Sequence, residues 1–286
     1  MNNALEVSHL TKDYGSFKLD DVSFTVPGGT IMGLIGENGA GKSTTIKCVL
    51  NMVHRDGGKI SVFGLDAVAD EQAVKSQLGV VLDDCGYYNP FTPAQLDRIQ
   101  KGIYPQWDSG LFRQYLSKFS LSEKKVIKDF SKGMRMKLAL AAAFAVRPKL
   151  LILDEATSGL DPVVRDEILD EFLEFIQDED HSILISSHIT SDLEKVADYV
   201  TYLHKGKVAL TGAKDELLDT YGKLVCSRAD LEQVDPDLLG GCRIGQFGCE
   251  ALVKDRHGFR LRYPDLTVEP ANLEDIMIFT VKGDAQ

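Results

Sequence analysis

The sequence has few cysteines, no excess of positive charge and no apolar stretch long enough to cross a bilayer. Its five cysteines, Cys48, Cys85, Cys226, Cys242 and Cys249, are odd in number and contain no CxxC pair. Neither a disulfide framework nor a zinc site is expected, and free thiols are. Lys and Arg number 32 against 43 Asp and Glu, a net charge of −11. Such a chain argues against broad, sequence-independent nucleic-acid binding, which needs a basic face. Its charge reads as a solubility feature. The longest apolar run, Leu138 to Val146, falls far short of a membrane span. The opening Met1-Asn2-Asn3-Ala4-Leu5-Glu6 lacks the charged start and apolar core of a signal peptide. A cytoplasmic protein is expected, with any membrane role coming through a partner. No internal repeat or low-complexity tract breaks the chain. Its 286 residues, 44% of them hydrophobic, suffice for one or two domains.

What is present is a phosphate-binding pattern. Gly36-Glu37-Asn38-Gly39-Ala40-Gly41-Lys42-Ser43-Thr44 fits G-x-x-x-x-G-K-[ST]. It follows the strand-like Ile31 to Ile35 and opens into the helix-like Ser43 to Leu50, the context the motif requires. Glycines let successive N–H groups turn inward toward phosphate oxygens, and the helix N-terminus adds partial positive charge. Lys42 is expected on the β- and γ-phosphates and the Ser43 hydroxyl on Mg²⁺.

Strand patterns surround this loop. Ala4 to Leu10 and Leu19 to Val26 alternate, and Lys59 to Phe63 and Leu78 to Leu82 follow the loop. Between the first two lies a turn with two aromatics, Tyr14 and Phe17. Tyr14 precedes Lys42 by 28 positions. A ring there can stack on a nucleotide base, although a Tyr beside a turn is more often plain packing. Asp83 and the residues to Phe91 form a loop at a strand's C-terminal end, where open α/β sheets bind ligands.

From Thr92 to Val146 the pattern turns helical, with Thr92-Pro93 as N-cap and first turn. Helices are expected over Gln95 to Tyr104, Ser109 to Phe119, Ser122 to Lys128 and Met134 to Val146. The last is Ala-rich and apolar nearly all round, so it should be buried. Ser131 and Gly133 stand at its N-terminus. They read as an ordinary cap or as an anion site by the physics of the phosphate loop.

Lys149 to Glu155 is a buried strand ending in two acids. Alone, it is a strand meeting solvent. With the phosphate loop upstream, Asp154 becomes a Mg²⁺ holder and Glu155 the group that polarises an attacking water. Ser182 to Ser187 is a second such strand, ending at His188, whose imidazole can reach a terminal phosphate or serve a structural role. Beyond Gly212 motifs cease. A helix over Asp215 to Tyr221, strands over Lys223 to Arg228 and Cys242 to Lys254, and a helix over Asn272 to Phe279 suggest a small α+β appendage.

Taken together, over Met1 to about Tyr221, these motifs resemble the ATP-binding subunit of a bacterial ABC transporter. Asn272 to Met277 is similar to the tail of many exporter subunits. By resemblance, Tyr14 is the adenine-stacking aromatic, Gly36 to Thr44 is Walker A and Leu150 to Asp154 is Walker B. Glu155 takes the catalytic glutamate position, Ser158 to Asp161 the D-loop, and His188 the switch position. The resemblance implies an α/β P-loop ATPase, a mixed sheet core with a helical subdomain over about 92–146. Residues 1–221 would be the ATPase and 222–286 an accessory region. It implies Mg²⁺-dependent ATP hydrolysis and head-to-tail pairing with a second ATPase subunit, identical or not. Ser131 and Gly133 of one copy would then touch the γ-phosphate held by the other. It also implies a separate membrane permease, receiving its contacts on Thr92 to Phe130 and the Tyr87 to Phe91 loop, and a place on the inner face of the membrane.

Two positions depart from the family pattern. The usual LSGGQ signature is Phe130-Ser131-Lys132-Gly133-Met134 here. Asp83 falls where the family carries Gln, and a carboxylate there can ligate Mg²⁺ or orient water. The signature and tail resemble subunits exporting antimicrobial or amphipathic peptides or drugs. The competing reading is a non-transport ABC ATPase acting on nucleic acid or the ribosome. It fits less well, because no coiled coil separates Lys42 from Ser131 and the chain holds one Walker A. No nucleic-acid partner is expected.

Overall fold

Alternation over the first strands, broken by a register shift between Val7 and Leu10, produces a sheet with one buried face. In the computed structural model, which describes residues 3–83, 90–246 and 248–283, β1 (Asn3–Asp13) pairs antiparallel with β2 (Lys18–Pro27). Its inward residues Leu5, Val7 and Leu10 are buried. The next strand, β3 (Ile31–Ile35), is buried at every position, as expected of a strand covered on both faces. It feeds the phosphate loop and α1 (Lys42–Val49). Then β4 (Gly57–Val62) and the short β5 (Leu65–Asp66) complete the first sheet in the order β2-β1-β4-β5.

The short helix α2 (Glu71–Lys75) leads to β6 (Leu78–Val81). Three helices follow: α3 (Pro93–Ile103), α4 (Ser109–Lys118) and α5 (Lys132–Ala145). Thr92 caps α3 in a full capping box with Gln95, and Pro93 takes its first turn, as the sequence predicts. Asp108 caps α4 through the Gly110 and Leu111 amides. The expected helix over Ser122 to Lys128 does not form. The described chain there is a turn closed by Lys124 N–H on Ser122 Oγ, followed by a 3₁₀ turn at Ile127–Asp129. Four consecutive polar residues, Ser122 to Lys125, offer no apolar stripe to bury, and only Leu121 and Ile127 anchor the segment in the core. By contrast α5 is buried from Leu138 to Ala145.

The chain then completes a second, six-stranded sheet. The strands are β7 (Leu150–Asp154), β8 (Ser182–Ser187), β9 (Tyr199–His204) and β10 (Lys207–Ala213). They interleave with α6 (Pro162–Phe175) and α7 (Thr190–Val196). The order is β10-β9-β3-β8-β7-β6, parallel throughout except for β10. The first loop of β3 and the ends of β7 and β8 therefore meet at one edge, where ligands bind in such sheets.

After α8 (Lys214–Thr220) comes a third sheet, built from β11 (Gly222–Cys226), β12 (Leu239–Ile244), β13 (Cys249–Val253) and β14 (Val268–Pro270), in the order β12-β13-β11-β14. Leu224, Ala251, Val253, Phe259 and Val268 form its own core. A helix at Arg256–Arg262, capped by Asp255, was not legible in a segment so rich in charge. The last helix, α9 (Leu273–Gly283), does not stay with this sheet alone. Its Leu273 is buried in the same cluster as Leu193 and Val196 of α7. The Leu273 amide donates to Glu194 of α7 at 2.7 Å.

Candidate functional site

Backbone geometry at the phosphate loop depends on glycine. Gly39 and Gly41 have φ of +84° and +112°. A β-carbon on Gly41 would come 2.5 Å from Leu19 Cδ2 and 3.0 Å from Phe17 Cζ, so no larger residue fits. Gly41 caps α1 without any side-chain hydrogen bond. The first amides of α1 are thus available to an anion, with the helix dipole adding to the attraction. Lys42 is 5% exposed. Its ammonium donates to the carbonyls of Gly36 at 2.6 Å and Glu37 at 3.3 Å, which holds the cation inside the loop.

The ends of β7 and β8 converge on this lysine. Asp154, 4% exposed, accepts hydroxyl bonds on Oδ1 from Ser43 at 3.2 Å and Ser186 at 2.6 Å. Ser186 Oγ also accepts the Glu155 amide at 3.1 Å. Glu155 adopts φ +53°, a left-handed conformation that costs a non-glycine residue energy and marks functional turns. Its carboxylate lies 3.1 Å from Lys42 Nζ and 2.7 Å from His188 Nδ1. With a carboxylate partner, Nδ1 carries the proton and the ring is oriented by it.

Lys42, Ser43 and Glu155 border a cavity of about 410 Å³, lined also by Phe17, Asn38 and Asp83 among others, whereas Asp154 stands behind it, bonded to the lining Ser43. Of the expected site residues, Asn38, Gly39, Gly41, Lys42, Ser43, Thr44, Asp83 and Glu155 line it. Gly36 and Ala40 shape the loop behind them, and Ala40 is buried. His188 joins through Glu155. Tyr14 does not line the cavity and is 51% exposed. The lining ring is Phe17, the second aromatic of the same turn. Ser186 and Phe17 were the residues that the sequence reading passed over. The Ser-Ser-His end of β8 and the second ring of the turn were the available signals.

Ser131 and Gly133 stand away from this cavity. Ser131 Oγ accepts the Met134 amide at 3.2 Å as N-cap of α5. Lys132 reaches over the turn at Ser158 to Asp161, where a β-carbon on Gly159 would lie 2.9 Å from its Nζ. Asp161 caps α6 through the Val164 amide at 3.1 Å. Tyr87, Tyr88, Asn89 and Cys85 lie outside the described residues. Among the described residues no helix is long and apolar enough to cross a membrane.

A protein-family profile described as ABC transporter matches residues 19–158. The ATP-binding protein YtrB of Bacillus subtilis is 31% identical over 221 residues, which are 77% of this chain and 75% of that protein. The chain belongs to the ABC transporter ATP-binding family. BcrA of Bacillus licheniformis, a bacitracin transport ATP-binding protein, is 33% identical over 211 residues, 73% of this chain and 69% of BcrA. A solved structure titled as the ATP binding subunit of an ABC transporter superposes with a TM-score of 0.68. It is 30% identical and covers 75% of this chain and 91% of that one. As a member of this family, the chain is an ATP-binding, ATP-hydrolysing subunit of a transporter complex, with the α/β ATPase fold described above. Membership favours transport over the nucleic-acid or ribosome reading.

Proposed function

We propose that this subunit powers export across the cytoplasmic membrane, with a peptide or drug as cargo, through a separate permease and a second ATPase copy. The bacitracin relative supports the cargo class. The observation that carries the chemistry is the placement of Glu155, between Lys42 at 3.1 Å and His188 at 2.7 Å, at the end of the Walker B strand.

In this reading the α1 amides and Lys42 bind the β- and γ-phosphates, which compete with Glu155 for the lysine. Glu155, released from that pair, holds the attacking water and accepts its proton. His188 stays hydrogen-bonded to Glu155 through Nδ1 and keeps its carboxylate aimed, and as an imidazolium it also donates its Nε2–H to the γ-phosphate. Ser43, Asp154 and Asp83 are hard oxygen donors that fit Mg²⁺, and when bound the ion would neutralise charge on the phosphates. Both hydroxyl bonds to Asp154 fall on Oδ1, which supports Oδ2 as the oxygen left for the ion. Tyr14 stacks on adenine above the Phe17 floor. Ser131 and Gly133, remote from the chain's own cavity, serve the nucleotide of the opposite copy.

A second cavity of about 350 Å³ runs between Leu50 and Met52, after α1, and Gln100, Tyr104 and Trp107 of the helical region. Met52, which lines it, is 58% exposed, and Tyr104 at the end of α3 is 37% exposed. This apolar groove is the place for a cytoplasmic helix of the permease, with Thr92 to Phe130 as its helical wall. Residues 222–286 are an accessory region appended to the ATPase. The test is Glu155→Gln, co-expressed with the permease. ATP turnover should stop, while ATP holds two copies together on the membrane partner. Absence of both the ATP-dependent pair and the permease would refute the reading.

A further inference from the structure

The turn before β4 is tied to the end of β1 by a single residue. Asp56 bonds three consecutive residues there. Its amide donates to the Thr11 carbonyl at 2.9 Å. Its Oδ1 accepts from Lys12 Nζ at 2.9 Å, and its Oδ2 from the Asp13 amide at 2.7 Å. The approach is close enough that a β-carbon on Gly57 would come 2.6 Å from Thr11 Oγ1. Tyr14 is next in the chain, and its backbone is fixed from the far side as well. Its amide donates to the Phe17 carbonyl at 2.9 Å, and the Gly15 amide donates to Asp13 Oδ1 at 2.6 Å.

The Lys12 ammonium stands 5.3 Å from the centroid of the Tyr14 ring, within reach of cation–π attraction. The lysine is mostly covered, 16% exposed, whereas half of the tyrosine surface is open. The hydrogen bond to Asp56 holds the Lys12 ammonium above its ordinary pKa, so the charge beside the ring is present at any physiological pH. A plain surface ion pair does not require this arrangement. Here one carboxylate fixes the strand end, the cation and the backbone of Asp13, the residue next to the one that carries the ring.

We propose that Lys12 and Asp56 are positioning residues for nucleotide binding, bracing one face of Tyr14 so that the other is presented to the base. This rests on the reading of Tyr14 as the base-stacking ring. A ring already held in place loses less rotamer freedom on binding. The gain is confined to nucleotides that carry a base. Inorganic triphosphate reaches the same loop and Lys42 but has nothing to stack.

The test measures dissociation constants of Mg-ATP and of Mg-tripolyphosphate for the full chain by titration calorimetry. The proteins are wild type, Lys12→Met, Lys12→Arg, Asp56→Asn and Tyr14→Ala. Lys12→Met and Asp56→Asn should each weaken ATP by about three- to tenfold and change tripolyphosphate less than about twofold, with Lys12→Arg close to wild type. Equal weakening of both ligands in Lys12→Met and Asp56→Asn would overturn the proposal, because the defect would then lie in the phosphate loop or the fold. Unchanged ATP binding in these two variants, with Tyr14→Ala impaired, would overturn the bracing role alone. Unchanged ATP binding in Tyr14→Ala would overturn the stacking reading and the proposal with it.

Discussion

Replacing Ser186 by alanine tests whether the Asp154 carboxylate depends on a neighbour from another strand. Ser186 is 1% exposed. Its hydroxyl donates to Asp154 at 2.6 Å and accepts the Glu155 amide at 3.1 Å. Asp154 is itself almost fully buried, so a hydroxyl donor removed there is not replaced freely by water. A hydrogen bond to a charged group contributes about 1.5–3 kcal/mol, and its loss at a buried site costs a similar amount. Ser43 remains as a second donor, at the longer distance of 3.2 Å, which puts the expected loss near 2 kcal/mol. For a protein of this size that lowers Tm by about 4–8 °C. The Glu155 turn also loosens, because one of its two bonds to Ser186 is gone. The backbone bond to the Ser186 carbonyl at 3.2 Å remains. Turnover should fall by about 10- to 100-fold, the range for residues that orient ligands of an ion. The Mg²⁺ concentration for half-maximal activity should rise with it. The assay is thermal unfolding alongside ATP turnover at 20–25 °C over a Mg²⁺ series. Unchanged Tm and turnover would refute the reasoning. A lower Tm with normal turnover and Mg²⁺ dependence would make the hydroxyl a packing element only.

Three further outcomes are expected. Asp83→Gln should make ATP binding less dependent on Mg²⁺, since one of the carboxylates lining the cavity is removed; an unchanged Mg²⁺ titration would count against a role for Asp83. Gly206→Ala should destabilise by about 3 kcal/mol or more, read as the urea midpoint, because Gly206 has φ +78° and a β-carbon would lie 1.9 Å from the Lys18 carbonyl oxygen. Asp108→Ala should cost about 1 kcal/mol near pH 7 through loss of the α4 cap. The Leu111 amide and then Arg147 hold the Asp108 carboxyl below its ordinary range. The stabilisation is therefore present above the unfolded pKa near 4 and lost as pH falls through the lower folded value. The difference between wild type and Asp108→Ala in urea midpoints should narrow below about pH 4, and a constant difference would contradict the argument.

Legibility in the sequence followed the range of the interactions. Phosphate-loop glycines, the apolar run into Asp154 and Glu155, and the Thr92-Pro93 cap are local signals, and each stands where it was read. The partition of the strands into two sheets, and the meeting of β7 and β8 beside Lys42, depend on register between segments more than a hundred residues apart. Ser186 is hard to single out for that reason: the Ser-Ser-His end of β8 marks a polar strand end, but not which carboxylate stands opposite. Tyr14 and Phe17 were both in view, but spacing cannot tell which ring faces the cavity when the turn between them reverses the chain. Ser122 to Lys128 suggests a helix in sequence but forms turns, because charged residues tolerate a helix without demanding one. In the accessory region short, polar elements rest on pairings such as Gly222 with Val253 that no local pattern announces.

The tie between Glu194 and Leu273 bears on where this polypeptide can be cut. Read by motif, the ATPase stops at Tyr221. The packing crosses that boundary: α7, which begins two residues after His188, shares its cluster of Leu193 and Val196 with Leu273, and its Glu194 bonds the Leu273 amide 79 positions on. A chain ended at Tyr221 would leave those side chains wet and Glu194 without its amide. The same economy makes the helix at Leu273–Gly283 a handle: a fusion, a protease nick or a bound protein that lifts it would be felt first at α7, two residues beyond His188.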